Sequence, residues 1–233
     1  MEKTRLFCFP HAGASAAYYT RWSKYLDPNI EIIPVEMSGR GRRMNEVLFN
    51  SVEEAVEDVY AFLKSHDFNI PYMLFGHSMG TLIIYELMNK IITNGDKNPL
   101  HIFLSGRYPP HINKGKVIHT LSDEDFMQEI IKIGGTPKEI CQNKELLELF
   151  IPILKADYKI VEQYKYRVLK NKWKIDITAL TGNEDFEVSV NEILQWKEYA
   201  EEGFYYHVLS GGHFFIHDKE QEVVSIINNA LSS

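Results

Sequence analysis

Two cysteines, Cys8 and Cys141, are all that the sequence contains. That is too few for a disulfide framework or a thiolate metal cluster. Cys8 stands in the apolar run RLFCFP, where a buried free thiol is expected, and a reducing, cytoplasmic setting suits such a chain. No stretch reaches the roughly 18 apolar residues that a membrane span requires. The start MEKTRLFCFPHAG lacks the long apolar segment and small-residue cleavage site of a secretory leader. Positive charge is scarce as well: 25 Lys and Arg face 32 Asp and Glu, a formal net charge of −7. A broad nucleic-acid footprint is thereby excluded, and no membrane surface is expected as a partner. The chain also lacks internal repeats, low-complexity tracts and blocks of like charge.

What is present is enough apolar residue for one sizeable core: 45% of 233 residues are hydrophobic, and the length favours a single domain over residues 1–233. Short apolar runs alternate with longer amphipathic ones. TRLFCFP, IEIIPVE, PYMLFGH, LHIFLSG, KIDITALTG and FYYHVLSG read as strands, being short, rich in β-branched or aromatic residues, and closed by Gly or Pro. SVEEAVEDVYAFLKSH places Val52, Val56, Val59, Phe62 and Leu63 on one helical face, and its start, Ser51 to Glu54, has the form of a capping box. TLIIYELMNKII is apolar nearly all round, as for a helix packed at the centre of a sheet. Such alternation implies an α/β fold, with a mostly parallel central sheet and helices on both faces.

From about residue 108 to 172 the rhythm breaks. No strand is evident there, but SDEDFMQEIIKIGG and KEICQNKELLELFIPILKADYKIVEQY read as successive amphipathic helices, with Ser122 and Gly134-Gly135 as start and stop signals. The stretch is too long for an ordinary connection and reads as a helical lid insertion over one end of the sheet. Phe126, Ile130, Ile131, Leu147, Phe150 and Ile151 could line a pocket beneath it, or simply hold the lid together.

The passage YMLFGHSMGTLIIYELMN carries the chemistry. A serine fenced by Gly76 and Gly80 at a strand-to-helix turn has the pattern of a nucleophile elbow, in which a crowded backbone projects the Ser78 hydroxyl at the carboxyl edge of the sheet. The helix behind it offers its amino-terminal N–H groups to developing negative charge. A serine hydroxyl needs a base and the base an orienting acid, in the chain order Ser, Asp or Glu, His. TGNEDFEV offers Glu184 and Asp185 after one strand, and SGGHFF offers His213 after the next. Spacing alone leaves Glu184 and Asp185 open. His77, His207 and His217 are weaker candidates for the base, and Asp176 comes too early in its strand. For the oxyanion, one N–H is expected from Met79, the residue after the nucleophile. The other comes from the loop FPHAGASA, where His11 or Ala12 could donate.

The combination of FPHAGA, VEMSGRGRR, FGHSMG, LSGRYPP, a helical insertion, TGNEDFEV and GGHFFI resembles the type II thioesterases that accompany non-ribosomal peptide and polyketide synthetases, within the α/β-hydrolase superfamily. The resemblance spans nearly the whole chain, with one departure: Ser38 stands where that family usually has proline before GRG. It implies Ser78 as nucleophile, Asp185 as acid and His213 as base. The implied reaction is hydrolysis of acyl or aminoacyl groups from the phosphopantetheine thiol of acyl or peptidyl carrier proteins, which clears misprimed or stalled synthetases. No metal or resident cofactor is called for, since phosphopantetheine arrives with the substrate, and a monomer is the expected state. Arg40, Arg42 and Arg43 could meet an acidic carrier or the phosphate of its arm. A small-molecule carboxylesterase of the same fold and a non-catalytic hydrolase-like binding protein are the competing readings.

Overall fold

The computed structural model describes residues 3–134, 143–168 and 172–231. Six strands, β1 (Thr4–Phe9), β2 (Ile30–Pro34), β3 (Tyr72–His77), β4 (His101–Ser105), β5 (Asp176–Gly182) and β6 (Phe204–Leu209), form one sheet. Their order is β2-β1-β3-β4-β5-β6, and every pairing between neighbours is parallel. All six apolar runs of the sequence are therefore strands.

Successive side chains of a strand face opposite sides, so a strand covered on both faces must be apolar without a break. β1 shows this directly. Phe7 and Phe9 join the helices α2 (Val52–Lys64) and α3 (Met79–Asn94) on one face. Leu6 and Cys8 join Tyr19, Trp22 and the C-terminal helix on the other, with α1 (Ala17–Thr20) leading into that layer. α3 is buried continuously from Met79 to Met88, which accounts for its lack of a polar face. Gly95, at φ +69°, closes it in the left-handed conformation that glycine adopts without strain.

The start of α2 differs from the expected capping box. Ser51 Oγ accepts the Glu54 N–H at 3.2 Å, but the Glu54 carboxylate returns to Asn50 N–H, at 2.8 Å, instead of Ser51. Only half of the reciprocal motif is made. A complete box, Ser189 with Glu192, opens the short helix α6 (Val190–Ile193) instead.

Between β4 and β5 lie α4 (Asp123–Ile133), capped by Ser122, and α5 (Lys144–Gln163), capped by Asn143. Gly135, Cys141 and the beginning of the second expected helix lie outside the described residues. Ile118, Phe126, Met127, Ile130, Ile151 and Leu154 form a separate small core that ties α4 to α5 and packs against Ala12 after β1. Leu147 and Phe150 support this core from its edge, whereas Ile131 is exposed. The chain closes with α7 (Phe215–Asp218) and α8 (Glu220–Leu231).

Candidate active site

β1 lies between β2 and β3, so the chain leaves β1 toward β2 on one side and its neighbour β3 toward β4 on the other. In open α/β sheets such a switch point leaves a crevice at the carboxyl ends of the strands. Ser78 follows β3 and the turn His11–Gly13 follows β1, so both border that crevice. The hand-over from β3 to α3 takes one residue. Ser78 sits at φ 53° and ψ −111°, a conformation that costs a non-glycine residue about 1–3 kcal/mol and persists only where the surroundings enforce it. Here Ser78 N–H donates to Ser105 O at 2.8 Å, and Thr81 Oγ1 donates to Gly76 O at 2.8 Å and to Ser105 O at 3.0 Å. The two fencing glycines are places of close approach. A Cβ on Gly76 would lie 2.5 Å from the Gly80 backbone, and one on Gly80 would lie 2.3 Å from Phe9 O of β1. Any side chain at either position would push the elbow out of the sheet edge.

The loops after β5 and β6 meet beside it, so close that a Cβ on Gly182 would be 2.2 Å from Gly211 O. His213 Nδ1 lies 2.9 Å from Asp185 Oδ2, and the two side chains are 7% and 0% exposed. The other oxygen, Asp185 Oδ1, accepts the N–H groups of Glu187 at 2.9 Å and Val188 at 3.1 Å. The carboxylate is thus oriented from behind before it meets the imidazole. Glu184 is exposed and engages the His213 loop only through its backbone N–H, 2.9 Å from Gly211 O. The carboxylate that the fold brings to His213 is that of Asp185. Asp176 sits at the opposite end of β5, bonded to Gly203 N–H at 2.7 Å. His207 is exposed on β6, and His77 is buried with Nδ1 2.8 Å from Ser105 Oγ.

A cavity of about 420 Å³ opens where these parts converge, with Ser78, Met79, His213 and Ala12 in its wall. Arg107, Tyr108, Tyr158 and Val161 line it too. Of the apolar residues singled out on α4 and α5 as possible pocket lining, all but the exposed Ile131 are spent instead on holding those helices together. One amphipathic stripe looks the same for either purpose. His11 turns away from the cavity; its ring packs on Phe214 at 4.8 Å, and its Nδ1 donates to Ala12 O at 3.0 Å. Burial, with smaller contributions from His217, His213 and Arg40, pushes its pKa down to about 3, so the ring is neutral at pH 7.

His101, the first residue of β4 and bonded to Thr178 Oγ1, is likewise pushed down by burial, to about 4. Unfolded, both histidines take up protons below about pH 6.5; folded, they do so only near their depressed pKa values. Stability is therefore fully present above about pH 6.5 and falls as the pH drops toward 4, by about 1.4 kcal/mol per pH unit for each histidine. Urea midpoints at about pH 7, 5.5 and 4.5 should show this slope, and His101→Gln should remove one histidine's share. Midpoints that hold steady across that range would contradict the assignment of neutral rings.

The arginines of the GRG loop do not form the exposed cluster that their sequence suggests. Arg40 is 4% exposed and grips Asp157 of α5 through Nη1 at 2.5 Å and Nη2 at 2.7 Å, so it is not available to a docking partner. Arg43 pairs with Asp58 and Glu46, and only Arg42 is left exposed. The partner of Arg40 lies 117 residues along the chain, beyond any local motif. One signal was there: Asp157 occupies the apolar stripe Ile151, Leu154, Ile160 of α5, where a carboxylate needs a buried partner.

The sheet order, the strained serine elbow and the loops at the carboxyl edge define an α/β-hydrolase. The chain belongs to the thioesterase domain family, whose pattern matches residues 4–231. The crystal structure of ClbQ from the colibactin NRPS/PKS pathway superimposes with a TM-score of 0.95 at 34% identity, covering 99% of this chain and 98% of that one. The type II thioesterase BorB from the borrelidin biosynthetic cluster superimposes at 0.89 with 30% identity, covering 98% and 93%. The protein LgrE of Brevibacillus parabrevis, named a linear gramicidin dehydrogenase, is 34% identical over 232 residues, 98% of this chain and 88% of its own length. The G-x-G-x-x-G turn that a dinucleotide-binding α/β domain places after its first strand does not occur here, where PHAGAS follows β1.

Proposed function

We propose that this thioesterase removes acyl or aminoacyl groups from the phosphopantetheine thiol of carrier proteins through Ser78, His213 and Asp185. The observation that carries the reading is the buried His213–Asp185 bond, 2.9 Å long, in a loop that shares one cavity with the Ser78 elbow. With Nδ1 held by Asp185, the imidazole keeps Nε2 for the Ser78 hydroxyl. Ser78 Oγ attacks the thioester carbonyl carbon as its proton passes to Nε2, and the C–S bond breaks as that proton is returned to the leaving sulfur. A water, deprotonated by the same nitrogen, then attacks the acyl-serine ester and releases the acid. The oxyanion of each tetrahedral intermediate accepts the N–H of Met79, the first residue of α3, and the N–H of Ala12, whose residue shares the cavity wall. Arg42 is the exposed guanidinium left to meet an acidic carrier surface, a contact that acts on association and weakens with salt.

Intact-protein mass spectrometry of acyl-loaded carrier proteins, with matched acyl esters of a simple alcohol as comparison, tests the reading. The expected result is loss of the acyl mass from the carrier, faster than ester hydrolysis and more salt-sensitive than turnover of a small-thiol thioester. Faster hydrolysis of the oxygen esters would make the protein a carboxylesterase. Failure of a fluorophosphonate to label Ser78 would make it a non-catalytic relative.

A further inference from the structure

Asp157 reaches from α5 into the turn that follows β1. Its Oδ2 accepts the Gly13 N–H at 2.7 Å and Arg40 Nη1 at 2.5 Å, while Oδ1 accepts Arg40 Nη2 at 2.7 Å. Arg40 is itself held by Nε on Ser38 O at 3.2 Å, and both charged residues are 4% exposed. Gly13 has φ +76°, and a Cβ there would lie 2.7 Å from Leu154 Cδ1, so α5 rests directly on the backbone of the turn. Further along the same loop, the Glu36 carboxylate takes Ser15 Oγ at 3.0 Å and Ala16 N–H at 2.9 Å.

The peptide group between Ala12 and Gly13 is therefore pinned at both ends. Its carbonyl, Ala12 O, accepts His11 Nδ1 at 3.0 Å, and its N–H is held by Asp157 at 2.7 Å. With that plane anchored, only φ and ψ of Ala12 separate it from the neighbouring peptide plane that carries the Ala12 N–H, so a shift of the anchored plane is passed to that N–H through a single residue. A buried ion pair contributes little net stability compared with apolar residues of similar size, because desolvation offsets the attraction. What the pair does supply is geometry: it fixes where the carboxylate meets the Gly13 N–H.

We propose that Asp157 is a positioning residue for the oxyanion hole. Carried by the covering helix α5, it aims the Ala12 N–H through Gly13, and Arg40 neutralises it there. The hole is then complete only when α5 is seated on the turn, so covering of the acyl group and readiness for attack are one event. This inference rests on the assignment of Ala12 N–H as oxyanion donor.

Two double variants of the full chain separate positioning from stability. Arg40→Met/Asp157→Asn removes both charges but keeps an oxygen for Gly13 N–H, whereas Arg40→Met/Asp157→Leu removes the acceptor as well. The probes are an acyl trifluoromethyl ketone, which forms a tetrahedral adduct with an oxyanion, and an inert acyl thioether, which forms none. The asparagine pair should hold the ketone within about 3-fold of the parent, and the leucine pair should lose about 10- to 100-fold, with thioether affinity unchanged in both. Should the leucine pair prove unstable, Arg40→Met/Asp157→Val reads the same loss. Undiminished ketone affinity without the acceptor, or parallel loss of ketone and thioether, would overturn the proposal. Ser78→Ala serves as the separate control: if that variant still forms the adduct and turns over substrate, the reading of the whole site falls, and not merely the clamp.

Discussion

Replacing Ser78 by alanine should lower kcat/KM for an acyl carrier protein roughly 10⁴- to 10⁶-fold, and His213→Ala should do nearly the same. The two losses should not add. A hydroxyl without its base and a base without its hydroxyl fail at the same step, so the double variant should be about as slow as either single one. The residual rate would come from binding and from the N–H donors at Met79 and Ala12. Ser78→Ala should leave the thermal midpoint nearly unchanged, because the elbow is held by backbone and Thr81 bonds to Gly76 and Ser105, none of which uses the serine hydroxyl. Steady-state turnover of an acyl carrier by each variant, beside its melting curve, checks the pair of claims. Near-parental turnover by Ser78→Ala would remove the nucleophile from the mechanism.

Much of this architecture was legible because a parallel sheet covered on both faces imposes a local rule. Each inner strand must be apolar at consecutive positions, and each run must stop at the edge where the loops begin. Cys8, Phe75 and Phe103 obey that rule and lie together in the layer under α8, though they are far apart in sequence. The elbow was legible for a related reason: only glycine permits the 2.3 Å approach of a Cβ position at Gly80 to the carbonyl of Phe9. What stayed hidden depends on contacts that leave no periodic trace. Arg40 and Arg43 read as loop charges, yet their partners, Asp157 and Asp58, come from two different helices. Phe126 and Ile130 show an apolar stripe whether they face a substrate or α5. The capping signature at Ser51 promised a second bond that Glu54 makes one residue earlier, a choice fixed by the path of the preceding chain.

The neighbours Glu184 and Asp185 could not be ranked by position in their loop, and the geometry now gives them opposite expected responses. Asp185→Asn should lower turnover about 10³- to 10⁴-fold, whereas Glu184→Gln should change it less than about 3-fold. The reason lies in the two oxygens of Asp185. One accepts the N–H groups of Glu187 and Val188 and must remain an acceptor. In asparagine that requirement consumes the single carbonyl oxygen and turns the NH₂ group toward His213. Nδ1 of the imidazole must then accept, which forces the proton onto Nε2, the atom that should take the proton of Ser78. Turning the amide over would free the imidazole but leave two backbone N–H groups facing an NH₂ group in a buried site, a penalty of about 1–3 kcal/mol for each group left unpaired. Glu184 has no such duty, since its side chain is exposed and only its backbone N–H touches the His213 loop. Turnover measured for both variants against a carrier thioester and a small-thiol thioester should show the same ranking on each. If Glu184→Gln were the more damaging, the acid would have to be reassigned and the 2.9 Å bond between Asp185 and His213 would be structural only.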